Sequence, residues 1–261
     1  MYSLKEYLSV LESVAPLYLS DEMKKTGMHD NSGIIIDSGK PVNKTLFSLD
    51  FTLETVKRAK RLGVDTIVTH HPAIFYPSLT ISAVDEGSNA VYHAIKYGLN
   101  VISFHLNLDI AENGIDYNLA LALGGKNVKV VEPVINGLGY GKEFDVEETD
   151  FNTFVSNAKK VFNCKNIIGY KAFNKVKKVA SFCGGGANSA DSAIVNKKIN
   201  ADTVVTSDVS HHHLRNAMAR GVNFVVIPHY VAEEYGFNIF YKEIKQKTDI
   251  ESFYYVDKRF M

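Results

Sequence analysis

Gly63-Val64-Asp65-Thr66-Ile67-Val68-Thr69-His70 recurs further along the chain as Asn200-Ala201-Asp202-Thr203-Val204-Val205-Thr206-Ser207. Each copy follows a basic stretch of helical character, Leu53 to Leu62 before the first and Ala190 to Ile199 before the second. A Gly or Asn just past a basic helix end is a stop signal. The β-branched runs that follow have the length and composition of strands buried on both faces. A second correspondence lies downstream. Gly98-Leu99-Asn100-Val101-Ile102-Ser103-Phe104-His105 matches Gly221-Val222-Asn223-Phe224-Val225-Val226-Ile227, which runs into Pro228-His229.

Helices alternating with such strands predict an α/β fold. The repeat predicts two similar, duplicated α/β units, with layered helices around mixed, largely parallel sheets. The expected division is 1–135 and 136–261, joined in the Gly-rich and acidic stretch Asn136 to Asp150, with the C-terminal segment packing back on the first unit. In sheets of this kind, ligands gather beyond the carboxyl ends of the strands. His70 and His71 stand there after one strand, and His105 and Asp109 after a second. Ser207 and Asp208 follow a third, and His229 and Glu233 a fourth. The fold therefore predicts one rim shared by both halves.

Buried imidazoles and carboxylates are costly unless paired, and a divalent cation pairs both. Adjacent histidines in a regular strand point to opposite faces, but at a strand end closed by Pro72 both rings can turn to one rim. His229 and Glu233 are spaced i to i+4, as are His105 and Asp109, so a helix starting after Pro228 sets the first pair on one face. Mixed nitrogen and oxygen donors suit Zn, Fe, Mn, Co or Ni rather than a thiolate site. In the run His211-His212-His213 the rings fan out around a helix start, and His212, with Asp208 one turn earlier, is the one expected to face the rim. Gly184-Gly185-Gly186-Ala187-Asn188-Ser189 reads two ways, as backbone N–H groups cradling an anion or as a tight turn needing positive φ.

The 261 residues suggest two domains or one doubly built one; 46% are apolar and 22% charged, which suffices for a packed core. Lys plus Arg and Asp plus Glu both number 29, and this balance argues against a general nucleic-acid or membrane-surface binder. Cys164 and Cys183 form no CxxC pair, and the N-terminal residues are polar where a signal peptide is apolar, so a cytoplasmic location is expected. No apolar run reaches the ~18–20 residues that span a bilayer.

Several of these segments carry family motifs. Thr69-His70-His71-Pro72-Ala73-Ile74-Phe75 is close to T-H-H-P-x-x-F, Asp30-Asn31-Ser32-Gly33 to D-N-x-G, and His105-Leu106-Asn107-Leu108-Asp109 to H-x-N-L-D. His229-Tyr230-Val231-Ala232-Glu233 fits H-Y-x-x-E, with Pro228 where Gly is common. Cys183-Gly184-Gly185-Gly186 is similar to C-G-G-S-G, with Gly186 in place of Ser and Ala187 in place of Gly. Ser207-Asp208-Val209-Ser210-His211-His212 is similar to G-D-x-x-Y-H, with Ser207 for Gly and His211 for Tyr.

Over essentially its whole length the chain resembles the Nif-three-like family, also named GTP cyclohydrolase 1 type 2 homologues, and it resembles the compact form without an inserted domain. The resemblance implies two divalent metal ions per chain, held by His70, His71, Asp109, His229 and Glu233. Asp109 or Glu233 would bridge them, and His105, Asp208 and His212 would orient ligands or touch substrate. It also implies a homohexamer built as a trimer of dimers. The expected chemistry is metal-dependent hydrolysis of a nucleotide or phosphate-containing small molecule, with His105 or Glu234 moving the proton. The competing expectation is a non-catalytic metal-binding scaffold that delivers metal or regulates a partner. There is no H-E-x-x-H helix and no G-x-S-x-G, so other hydrolase classes have no motif here.

Overall fold

The computed structural model of the protein describes residues 1–261. It is a mixed α/β structure that divides into two compact units, Met1–Ala111 with Phe237–Val256, and Glu112–Gly236 with Asp257–Met261. No helix is long and apolar enough to cross a membrane.

The first unit runs α1 (Leu4–Glu12), α2 (Tyr18–Lys25), β1 (Gly33–Ile36), β2 (Lys44–Ser48), α3 (Leu53–Leu62), β3 (Thr66–Thr69), α4 (Glu86–Tyr97), β4 (Asn100–Ser103) and the short α5 (Leu106–Ile110). The second contains α6 (Ile115–Ala122), β5 (Lys126–Ile135), β6 (Leu138–Asp150), α7 (Phe151–Val161), β7 (Ile168–Tyr170), β8 (Lys175–Ser181), α8 (Ala187–Val195), β9 (Thr203–Thr206), α9 (His211–Ala219) and β10 (Asn223–Val226). Helix α10 (His229–Lys247) starts in the second unit and ends in the first, where β11 (Glu251–Tyr255) follows.

The first sheet has the order β1-β4-β3-β2-β11, with β11, β2, β3 and β4 parallel and β1 antiparallel at the edge. The second has the order β5-β6-β8-β9-β10-β7, with β8, β9 and β10 parallel and β7 antiparallel to β10. The duplication is thus visible in topology. A parallel triplet β2-β3-β4 with β1 antiparallel on its last strand corresponds to β8-β9-β10 with β7 in the same role. Every residue of β3, β4 and β9 is buried, as the β-branched runs predict.

The repeat extends to side-chain bonding. Asp65 accepts the amides of Asn43 and Lys44 at the start of β2, and Asp202 accepts those of Lys177 and Lys178 in β8. Asn100 donates to the Thr66 hydroxyl at 3.2 Å, and Asn223 to the Thr203 hydroxyl at 3.2 Å. Asn100 also accepts from the Ser38 amide, and Asn223 from the amides of Ala172 and Phe173. This is why D-T and the later Asn recur. They are the polar pins that hold neighbouring strands in register. Replacing the fully buried Asn100 with leucine takes the acceptor from the Ser38 amide and the donor from the Lys40 carbonyl, so a loss of about 2–4 kcal/mol in urea unfolding is expected.

Helix ends follow local chemistry. The Thr52 side chain accepts the Thr55 amide to start α3, and Gly63 at φ 66° ends it; Asp85 and Gly98 do the same for α4. Helix α8 stops at Val195, short of the expected Ile199, because Lys197 takes the left-handed form at φ 53°. The stretch Asn136 to Asp150 is not a linker: it holds the turn and second strand of a long β5–β6 hairpin. Asn136 and Gly137 occupy its two-residue turn with φ of 49° and 78°, the geometry that Asn-Gly favours.

In the first unit one core lies under α3 and α4, from Leu46 and Ile67 to Ala90 and Val101. On the other sheet face Phe47 and Phe104 pack against Phe237 and Phe240 of α10. In the second unit Ala190, Ala193 and Ala217 of α8 and α9 cover Ala180, Val204 and Phe224. Both cysteines are buried.

Candidate metal centre

The carboxyl ends of β2, β3 and β4 build one constellation. The amides of His70 and His71 both donate to the Leu49 carbonyl, at 3.1 and 3.0 Å, so the regular ladder ends here and the chain bends. That bend brings the two rings to 4.9 Å, and His105, just past β4, lies 5.1 Å from His70. His70, His71 and His105 each offer a ligand atom within 4.8 Å of the others.

The three rings are oriented alike. The Nδ1 of His70 bonds the Phe104 carbonyl at 2.8 Å, that of His71 the Asp50 carboxylate at 2.5 Å, and that of His105 the Asp30 carboxylate at 2.7 Å. An acceptor at Nδ1 fixes the proton there and turns the Nε2 lone pair outward, the arrangement typical of metal-ligating imidazoles. The buried Asp109 carboxylate stands 3.5 Å from His70 Nε2.

Asp30 is itself tightly held, accepting from the hydroxyls of Ser20 at 2.5 Å and Ser32 at 2.7 Å. Burial works against its charge, but the bonds from His105, Ser20 and Ser32 outweigh burial and pull it from 3.8 down to about 2. A carboxyl depressed on folding contributes stability above its unfolded value, and that contribution fades as pH falls through the folded one. Asp30 therefore supplies roughly 2 kcal/mol that disappears between about pH 4 and pH 2. Asp30→Asn is expected to flatten that part of an unfolding-versus-pH curve.

The second unit carries its own pair. His229 and Glu233 face one side of the first turns of α10, with His229 Nε2 3.0 Å from Glu233 Oε2. Once more Nδ1 is committed, here to Asp208 at 2.6 Å. Asp208 adopts φ 48° to reach it. Glu233 is buried, and Glu234, the next residue on the helix, is half-buried. Gly184, at φ 55°, passes so close that a Cβ there would lie 2.1 Å from Glu233 Oε1.

His211 and His212 are exposed at the start of α9, and Asp208 bonds His229 rather than His212. His213 accepts the Ser210 amide and bonds the Asn188 side chain at 3.1 Å. None of the groups able to hold an ion includes this triplet.

Beside the first constellation, the segment directly after His71-Pro72 lines a cavity of about 310 Å³ with Ala73, Ile74, Phe75 and Tyr76. Phe75 also meets the His105 ring edge-on at 5.6 Å. The donor set of imidazole nitrogens and buried carboxylates fits a borderline divalent ion.

Asp50 lies outside the sequence motifs. The run Thr45-Leu46-Phe47-Ser48-Leu49 before it marks a strand end, but nothing local points to His71 as its partner. Partners that orient a ligating histidine command ~10–100-fold in metal affinity. Asp50→Asn is accordingly expected to weaken Zn or Mn binding about tenfold or more in a chelator competition, with little change in melting.

A sequence profile described as Duf34/NIF3 (NGG1p interacting factor 3) matches residues 2–258. A Clostridium perfringens protein named GTP cyclohydrolase 1 type 2 homolog is 27% identical over 98% of this chain and 96% of its own. A Methanocaldococcus jannaschii protein of the same name is 28% identical over 95% and 96%. Among solved structures, reduced HcgD from Methanocaldococcus jannaschii superposes with a TM-score of 0.82 at 26% identity, covering 97% of each chain. The Bacillus cereus protein related to NIF3 gives 0.83 at 22%, again over 97% of each.

Proposed function

The chain belongs to the Duf34/NIF3 family, and on that premise we propose that it is a dinuclear divalent-metal protein hydrolysing a nucleotide or phosphate-containing small molecule. His70, His71 and Asp109 would supply ligands from the first unit, and His229 and Glu233 from the second. The observation that carries this reading is the common state of the histidines. Each commits Nδ1 to an oxygen acceptor and presents Nε2, which in His70 and His229 lies beside a buried carboxylate, Asp109 and Glu233.

Two such ions, when bound, acidify water toward neutral pH and polarise a phosphoryl or carbonyl oxygen. The protein's own residues do the rest. Asp30 holds His105 with Nε2 outward, where it takes up or releases the reaction's proton; Glu234 is the second group in that role. The cavity at Ala73–Tyr76 gives an apolar wall for the organic part of a small substrate. The relatives' name, GTP cyclohydrolase 1 type 2 homolog, supports a purine nucleotide as the first substrate to try. With zero formal charge, phosphate affinity would rest on the ions and local donors rather than on the overall field. Assembly as a hexamer of three dimers belongs to the same reading.

The test is metal analysis of untagged protein purified without chelators, followed by assay of the loaded protein against nucleotides and phosphoesters. Two ions per chain and turnover that His71→Ala removes are expected. Two ions without turnover across the panel would leave a binding or delivery protein instead.

A further inference from the structure

The second unit buries an ion pair that the proposed chemistry does not use. Asp116 of α6 is fully buried, and Lys142 of β6 is nearly so, with Nζ 3.3 Å from Asp116 Oδ2 and 2.7 Å from the Gly139 carbonyl. Replacing such a pair with apolar residues is often harmless to stability, so burial alone does not explain its presence.

One bond from the pair and one from a neighbouring tyrosine meet on a single residue. Asp116 Oδ1 accepts the Cys183 amide at 3.2 Å, and the Tyr140 hydroxyl, two residues before Lys142, donates to the Cys183 carbonyl. Both backbone groups of Cys183 are therefore gripped by side chains. The next residue is Gly184, whose backbone lies against Glu233 Oε1 and, at 3.2 Å from the position of a Cβ, His229 Nε2. Space is equally tight at Gly186, where a Cβ would stand 2.4 Å from the Tyr140 hydroxyl. The turn thus has little freedom on either side.

We propose that Asp116, Lys142 and Tyr140 are positioning residues: they clamp the Cys183–Gly186 turn against Glu233 and thereby set how tightly the His229–Glu233 pair holds a divalent ion. A turn displaced by even a fraction of an ångström alters the place of a carboxylate packed this closely, and outer-shell partners of this kind are worth ~10–100-fold in metal affinity. None of the three contributes a ligand atom.

The proposal rests on the metal reading above, so its test has two parts that fail separately. The variant is Tyr140→Phe, which removes one hydroxyl and keeps the ring; Lys142→Met and Asp116→Asn accompany it. Hydrogen exchange of the 183–186 amides is followed in metal-free protein, and Zn and Mn affinity by chelator competition. Tyr140→Phe is expected to exchange the turn amides about tenfold faster and to bind ions about tenfold more weakly, while melting within a few degrees of wild type. If wild type binds ions and the variant binds them equally well, the proposal is overturned. If wild type takes up no ion, the metal reading falls. Exchange then judges the clamp alone, and unchanged exchange ends it. Should Asp116→Asn fail to fold, Tyr140→Phe still decides.

Discussion

Glu233→Ala is expected to reduce Zn or Mn affinity by more than about 100-fold, beyond what loss of an outer partner costs. The carboxylate is buried, sits 3.0 Å from the Nε2 of His229, and has a glycine backbone packed on its other oxygen. No neighbouring side chain in that turn can take over, since Gly184, Gly185 and Gly186 have none. Elemental analysis after dialysis reads the result directly. Retention of two ions per chain by Glu233→Ala would remove this residue from the ligand set and the i to i+4 pair from the proposal.

Gly184→Ala carries the second large effect, and it separates two causes. The left-handed conformation at φ 55° costs an alanine about 1–2 kcal/mol. The added methyl must also displace Glu233 Oε1 from 2.1 Å, so a total loss of roughly 2–4 kcal/mol is expected together with weakened ion binding. Gly221 provides the control. It has φ 72° and nothing within 4 Å of an added Cβ, so Gly221→Ala shows only the backbone cost. Equal destabilisation of the two variants, with ion affinity intact in both, would sink the account of Gly184 as a space kept for Glu233.

Much of this architecture is written locally. Leu53 to Leu62 reads as a helix because Thr52 and Gly63 mark its ends, and α3 spans those residues. Asp65-Thr66 and Asp202-Thr203 recur because each acid accepts backbone amides of one neighbouring strand and each hydroxyl accepts an Asn amide from the other, a role the repeat betrays before its partners are known. His70 and His71 are legible for the same reason, being polar residues at the end of a buried run.

What stayed hidden depends on partners distant in sequence. Asp50 owes its role to His71, and Asp116 owes its role to Lys142 and Cys183; nothing near either residue announces those neighbours. Strands β1 and β7 are three or four residues long and exist only because β4 and β10 offer an edge. The β5–β6 hairpin is different. Its Asn136-Gly137 turn is a strong local signal that the glycines and acids around it obscured.

The first unit is discontinuous, and this has a consequence for biosynthesis. Residues 1–111 leave the ribosome well before Phe237–Val256, which supply β11 alongside β2 and the aromatic partners of Phe47 and Phe104. Until then the nascent chain exposes an unpaired strand edge and uncovered phenylalanines, a state prone to aggregation. The second unit has nearly all of its residues in the continuous stretch Glu112–Gly236, and Asp257–Met261 join it last. The portion translated first thus waits for a segment near the end of the chain before its sheet edge and its aromatic face are covered.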